Sequence, residues 1–182
     1  MKRLLALLVV SSFCSFNLSA QGLDAAVQAK LDAKIKALQG WAADPAIVDA
    51  VKAHNASPAP EAAGMTQEKW KSASVLDPVV RSFSKNAAAN FLKSKKTEDV
   101  SEAFLSGADG TKVAFLSKPS NWSHQGKAKH DNPMAGKTWQ GAVEVDESSG
   151  QQQIQLAVPV LDGTKPIGSL VVGFNISKLT AE

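Results

Sequence analysis

The sequence predicts an α+β domain in which a long N-terminal helix packs on a five-stranded antiparallel sheet. Two observations predict it: apolar residues recur with a helical period before Val100, and short alternating runs separated by tight turns follow it. Helices gathered at one end of a chain and strands at the other are typical of α+β architecture. The expected divisions are a cleaved signal peptide (1–20), a helical region (21–98) and the sheet (99–182).

The first twenty residues are typical of a secretory signal peptide. Lys2 and Arg3 are basic, residues 4–10 are apolar, and residues 18–20 end in small side chains that suit cleavage before Gln21. The apolar run is shorter than the roughly 20 residues that span a bilayer. We therefore expect export to the periplasm, and the alternative is an uncleaved membrane anchor.

The cysteine content and the charge argue against a lipoprotein, a disulfide-bonded protein and a nucleic-acid-binding protein. Cys14 is the only cysteine, and Phe13 before it is too large for the residue that precedes a lipidated cysteine. The mature domain would then contain neither a disulfide nor a thiol nucleophile. Loss of Lys2 and Arg3 with the signal peptide would leave 18 basic against 17 acidic side chains, a net charge of +1. This balance argues against a nucleic-acid partner.

Helices are expected in three places before the sheet. An apolar stripe with steps of three and four residues predicts the first helix over residues 23–38. Asp44 and Asp77 are each followed by proline, and a capping carboxylate before a proline at the first helical position predicts two further helices. The third helix is expected to continue through Phe91, and residues 57–64 form a loop by composition.

Five strands are expected, at residues 101–105, 112–116, 139–145, 153–161 and 167–174. Tight turns join them except for residues 117–137, a long irregular segment between the second and third strands. The fourth strand alternates, so one face is apolar and the other, with Gln153 and Gln155, is partly polar. Gly168 and Gly173 in the fifth strand indicate the close approach of a neighbouring group or a bulge.

Five segments of the second half form a set: residues 108–114, 121–126, 145–150, 158–162 and 166–173. Together with Trp41, Asp44, Pro45, Asn55 and residues 50–53, they resemble the extracytoplasmic PAS-like sensor domains of the Cache (PDC) family over nearly the whole mature chain. The resemblance implies a single Cache domain, with a small ligand held between the PAS-like sheet and residues 117–137. Family members usually sit between two membrane helices. No second apolar segment is present here, so we expect a standalone form that acts with a separate membrane signalling protein.

The segment 117–137 supplies the first candidate ligand-binding residues. Lys127 and Lys129 offer charge-assisted donors and Trp122 offers an apolar wall, which suits a small carboxylate or another anion. The alternative is that these lysines are solvated and that Trp122 anchors the loop in the core. Trp139, at the start of the third strand, would either form the pocket floor or pack against the N-terminal helix.

The resemblance implies two more ligand-binding residues. Amino-acid-binding members of the family share an Arg-x-Trp-Tyr cluster, a Tyr-x-Asp at the end of the third strand and an Asp in the fifth. Asp146 matches the second element, Glu144 stands where its tyrosine would be, and Asn175 lies in the region of the last Asp. The chain has no tyrosine, which disfavours an amino-acid ligand. Asp146 has an alternative role as the first residue of a turn.

No enzyme, cofactor or metal site is indicated. His124 and His130 lie six residues apart with no third histidine near them, which disfavours zinc. The sequence contains neither a Gly-x-Ser-x-Gly elbow nor a phosphate loop. The expected function is a periplasmic small-molecule-binding sensor module. The alternative is a protein-interaction or dimerisation module with a vestigial pocket, which would form a homodimer through the N-terminal helix.

Overall fold

The computed structural model describes residues 23–145 and 150–180. The helices are α1 (Ala25–Ala42), α2 (Pro45–Ala56), α3 (Gln67–Ser72), α4 (Pro78–Lys85), α5 (Ala87–Ser94), α6 (Ala128–Met134) and α7 (Ile176–Thr180), with a 3₁₀ turn at Pro60–Ala62. The strands are β1 (Val100–Gly107), β2 (Lys112–Phe115), β3 (Trp139–Val145), β4 (Gln152–Asp162) and β5 (Lys165–Asn175). The expected signal peptide (1–20) and Asp146 lie outside the described residues. Within the described ranges, no helix is long and apolar enough to cross a bilayer.

The strands form one antiparallel sheet in the order β2-β1-β5-β4-β3. The predicted α+β fold with a five-stranded antiparallel sheet is confirmed. The last strand, β5, lies between β1 and β4, so residues far apart in sequence become neighbours across it. This insertion decides which side chains meet on the sheet.

The capping signals place two helix starts as predicted. The Asp44 carboxylate accepts from the Ala46 amide at 2.9 Å, and the Asp77 carboxylate accepts from the Val79 amide at 2.8 Å. The single helix expected after Asp77 is wrong, because it is divided into α4 and α5. The Asn86 side chain accepts from the Ala89 amide at 2.8 Å, and asparagine competes with helix continuation in this way.

Three helices of the structure, α3, α6 and α7, are missing from the sequence prediction. The segment 117–137 was expected to be irregular throughout, but it contains α6. The short helix α3 lies directly after the predicted loop at 57–64. Each spans one to two turns, too few for a helical period to be detected in the sequence.

One face of the sheet, here called the inner face, packs against α1 and α2 in a continuous apolar core. The strand side chains of this face are Leu105, Ile154, Leu156, Val158, Leu170, Val172 and Phe174, all buried. Leu31 and Leu38 of α1 are fully buried against them. A Cβ atom on Gly168 would lie 2.4 Å from the Ser106 carbonyl oxygen, which confirms the predicted close approach.

The opposite face, here called the cleft face, carries a smaller aromatic cluster at one end. Trp70 of α3 is fully buried, and its ring centroid lies 5.0 Å from that of Trp122 and 5.9 Å from that of Phe115. The Trp70 indole N–H donates to the Pro119 carbonyl at 2.7 Å. The cluster therefore ties the segment after β2 to the sheet. The helix α6 covers a further part of the cleft face, where His130 Nδ1 lies 2.8 Å from the Ser169 hydroxyl.

Candidate functional site

A cavity of about 630 Å³ lies between the cleft face and the segment after β2. Its floor is formed by Ser101, Glu102 and Phe104 of β1 and by Gln153 and Gln155 of β4. Its roof is formed by residues 117–121, His124 and Lys129, and Lys71, Glu144 and Val145 complete the wall. Convergent polar groups in a concave site are typical of small-molecule binding.

The floor polar groups are held in one network across the central strand. Gly173 of β5 pairs with Glu102 on one side and with Gln155 on the other. Because Gly173 has no side chain, both glutamine amides reach over β5, and the Gln153 and Gln155 amides donate to Glu102 Oε1. The Ser101 hydroxyl donates to Gln153 Oε1 at 2.6 Å.

Gly173 is required for this arrangement. A Cβ atom at this position would lie 2.7 Å from Gln153 Oε1 and 2.8 Å from Glu102 Cγ. These distances confirm the close approach predicted from the sequence and place it at the cavity floor. Within the described part of the chain, no hydrogen bond is made to the second Glu102 oxygen, Oε2, so this atom can accept from a ligand.

Lys129 of α6 lines the cavity together with Lys71 and Lys118, and it is the lysine that contacts the floor. Its ammonium donates to Gln155 Oε1 and is partly buried. Burial lowers the pKa of Lys129, although the carboxylates of Glu102 and Glu144 oppose this effect and Lys127 adds to it. The cavity therefore combines a cation and a carboxylate that face the same space.

A second polar group lies behind the roof. Lys112 of β2 is fully buried, and its ammonium lies 2.7 Å from His124 Nδ1 and 3.2 Å from the Ser106 hydroxyl. The His124 ring stacks on Phe104 with centroids 4.7 Å apart. Burial lowers the pKa of Lys112 to about 7, and burial together with the Lys112 charge lowers the pKa of His124 far below its ordinary value.

The six predicted ligand-binding residues do not gather at one place. Lys129 lines the cavity. Lys127 is exposed at the start of α6, outside the cavity lining. Asp146 lies outside the described residues, although the neighbouring Glu144 and Val145 are in the cavity wall.

The two tryptophans and the asparagine of the prediction have other surroundings. Trp122 is 8% exposed and packs in the aromatic cluster, 5.4 Å from Phe83 between ring centroids. Trp139 is partly buried against the same cluster, and its ring covers Gly141. Asn175 is 5% exposed, and its side chain accepts from the Ser177 amide at 3.0 Å at the start of α7. The cavity lining includes none of these three residues.

Sequence reasoning missed the floor of the cavity. Glu102, Gln153 and Gln155 carry no recognisable motif, and Glu102 lies about 50 positions before the glutamines. The sequence features that could have indicated this floor are the alternating polar residues of β4 and the glycine at position 173 of β5. Among the described residues, no group of three or more His, Cys, Asp or Glu side chains could hold a metal ion.

Comparison with known proteins gives likeness in structure alone. No protein-family model matches the sequence, and no curated protein matches it. The ligand-binding domain of the Pseudomonas fluorescens chemoreceptor CtaA, in complex with L-leucine, has a TM-score of 0.51 and 14% identity, with 85% of this chain and 53% of that chain covered.

Two further sensor domains are similar at lower scores. The ligand-binding domain of the Pseudomonas aeruginosa amino acid chemoreceptor PctC, in complex with GABA, has a TM-score of 0.48 and 17% identity, covering 85% of this chain and 57% of that one. The sensor domain of the V. cholerae histidine kinase DctB has a TM-score of 0.43 and 16% identity, covering 84% and 60%. This chain spans a little more than half the length of the three domains. The antiparallel sheet behind α1 and the likeness to CtaA show that the chain has the fold of the Cache (PDC) ligand-binding sensor domains.

Proposed function

We propose that this protein is an exported, periplasmic sensor module that binds a small molecule in the cavity between the cleft face and the segment after β2. The observation that supports the proposal best is the cavity itself, because its polar floor is prearranged across Gly173 and opens beneath Lys129. Side chains held by their own hydrogen bonds lose little conformational freedom when a ligand binds.

The ligand class follows from the charges around the cavity. Lys129 has donors left for a carboxylate, because one hydrogen bond to Gln155 uses only one of its three N–H groups. Glu102 Oε2 would accept from a hydroxyl or ammonium group on the same molecule. We therefore infer a small carboxylate that carries a donor group a few atoms away.

The proposed partner is a separate membrane signalling protein. The structural neighbours named above are sensory domains of two chemoreceptors and of a histidine kinase, and their fold is the one this chain shares. In this role the protein would present its ligand-bound state to the receptor. Capture of a membrane receptor kinase or chemoreceptor by the tagged protein, only in the presence of ligand, would test this part.

Thermal shift of the mature protein tests ligand binding. The panel contains acetate, lactate, GABA and butylamine, which present a carboxylate alone, a carboxylate with a hydroxyl, a carboxylate with an ammonium group, and an ammonium group alone. A ligand at 100 times its Kd stabilises the folded state by about 2.7 kcal/mol. We expect lactate or GABA to stabilise more than acetate or butylamine.

Two lysine variants provide the matched control. Lys129→Met removes the cavity lysine that contacts Gln155 on the floor, whereas Lys127→Met removes an exposed lysine two residues away that does not line the cavity. Loss of a charge-assisted hydrogen bond costs about 1.5–3 kcal/mol, so Lys129→Met should weaken binding about tenfold or more. Equal loss in the two variants, or no shift with any compound, would refute the proposed site.

A second candidate function is the protein-interaction or dimerisation module. The observation that favours it is the exposure of Val143 (41%) and Val145 (62%) on the edge strand β3. A homodimer through α1 would have to use its outer surface, because Val27, Leu31 and Leu38 already pack in the core. Light scattering across a concentration series tests this candidate, and Val145→Lys should abolish a dimer formed through β3.

A further inference from the structure

The side chains behind the cavity roof form a chain of contacts that ends at the ligand space. Lys112 is fully buried, and its ammonium has three acceptors: the Ser106 hydroxyl at 3.2 Å, the Gly110 carbonyl at 3.3 Å and His124 Nδ1 at 2.7 Å. Within the described ranges, no carboxylate forms a salt bridge with Lys112. All three N–H groups of this cation are therefore used by neutral acceptors.

The contact with Lys112 decides the protonation state of the histidine. An ammonium group has three donors and no lone pair, so His124 Nδ1 must accept the hydrogen bond. Its imidazole is neutral, because burial and the Lys112 charge both disfavour the imidazolium form. The single ring proton is then on Nε2.

The ring is also held in one orientation. Its plane lies at 11° to the Phe104 ring, with centroids 4.7 Å apart, and both residues line the cavity. In the described part of the chain, no protein group is hydrogen-bonded to His124 Nε2. With one face covered by Phe104 and Nδ1 occupied by Lys112, Nε2 is the polar atom left for a ligand.

We propose that Lys112 is a positioning residue that holds His124 in the tautomer protonated on Nε2, so that His124 offers a neutral hydrogen-bond donor to a carboxylate in the cavity. This inference rests on the proposed function and adds a residue to its site. His124 and Lys129 would then hold the carboxylate from the roof, opposite Glu102. The site would then be specific for ligands that place an acceptor group against His124, because a protonated Nε2 can only donate a hydrogen bond.

The tautomer should depend on pH through Lys112. The charged and titratable groups around the pair are Asp109 on the β1–β2 turn and Lys127, Lys129 and His130 on or next to α6. Burial, with help from Lys129 and against Asp109, lowers the pKa of Lys112 to about 7. A neutral amine has only two N–H donors, so above this pH one of the three hydrogen bonds must reverse or break. His124 is then no longer restricted to one tautomer.

NMR of ¹⁵N-histidine-labelled, ligand-free protein tests the tautomer directly. The chain has three histidines, and His124→Gln assigns the signal. At about pH 6 we expect His124 Nε2 protonated and Nδ1 unprotonated, with a mixture of tautomers at about pH 8.5. Lys112→Met should give the mixture at both pH values, and Lys127→Met should behave as the wild type. Protonated Nδ1 in the wild type at pH 6, or an unchanged tautomer in Lys112→Met, would overturn the positioning role.

Acetate binding, measured by thermal shift in the wild type and in each variant, tests the donor role. Lys112→Met and His124→Phe should each weaken acetate binding about tenfold, and wild-type binding should weaken as the pH rises past 7. Circular dichroism establishes that both variants fold. A fixed tautomer without any carboxylate binding would refute the proposed function but not the positioning of His124. Acetate binding that is unchanged in both variants would refute the donor role and leave the proposed function standing.

Discussion

The two faces of the sheet differ in what they bury. The inner face buries apolar side chains such as Leu156 and Leu170 against α1 and α2. The cleft face buries polar ones as well, among them Ser106, Gln155 and Ser169, each less than 9% exposed. Because side chains alternate along a strand, the same strands supply both surfaces. The comparison shows that stability and binding chemistry are carried by alternate residues of one sheet.

The buried polar groups of the cleft face are paired with one another. His130 Nδ1 lies 2.8 Å from the Ser169 hydroxyl, and Glu102 accepts from both glutamine amides. Burying an unpaired polar group costs free energy, and a paired one is roughly neutral. We therefore expect substitutions on the inner face to affect stability, and substitutions at the cavity to affect ligand binding.

The largest expected effect is at Trp122, which belongs to the cleft face but packs as a core residue. Trp122→Ala should destabilise the fold by about 4 kcal/mol, because loss of a buried aromatic side chain leaves a cavity in the aromatic cluster. Urea unfolding measures this value. A change below about 1 kcal/mol combined with lost ligand binding would instead support the ligand-wall role predicted from the sequence.

Neighbouring residues of β4 give the most direct test of the comparison. Leu156→Ala on the inner face should cost about 3 kcal/mol in urea unfolding. Gln155→Ala on the cleft face should cost about 1 kcal/mol, since it removes hydrogen bonds to Glu102 and Lys129 without emptying the apolar core. For the loss of ligand affinity the order should reverse, so that Gln155→Ala weakens binding more than Leu156→Ala does. Similar free energies of unfolding for the two variants would contradict the division between the faces.

The pH dependence of stability gives the smallest of the three effects and concerns the buried cation. Since burial lowers the pKa of Lys112 from 10.5 to about 7, the folded state is penalised fully below pH 7, and the penalty is lost as the pH rises towards 10.5. The wild type should gain about 2 kcal/mol relative to Lys112→Met between pH 7 and pH 9, from about 1.4 kcal/mol per pKa unit. If the free energies of unfolding of the two proteins changed in parallel with pH, the pKa of Lys112 would not be lowered in the folded state.

Several elements of the fold were predictable because their determinants are local. The turns that separate the strands, the alternation of β4 and the capping residues Asp44 and Asp77 act within a few positions along the chain. The division of the third helix at Asn86 was missed, although asparagine is a common cap, because the apolar period continues across it. The helix α6 was missed because its seven residues are too few for a period.

The candidate site was only partly predictable. Lys129 was identified as a donor in the segment after β2, and it does line the cavity. Trp122 was predicted to form an apolar wall of the same site, but its ring packs against Trp70 in the aromatic cluster and does not line the cavity. Glu102 had no local signal at all, because its partners lie on a strand that is not adjacent to its own.

By itself, the sequence determined the fold class, the five strands, the helices α1 and α2 and the polar face of β4, since periodicity and caps depend on neighbours along the chain. Only the tertiary structure decided that β5 lies between β1 and β4, with Gly173 bringing Glu102 and Gln155 together across it. It also decided that Lys112 meets His124. The physical reason is that a binding site depends on distances between side chains, and strand pairing sets those distances between residues that no local pattern connects.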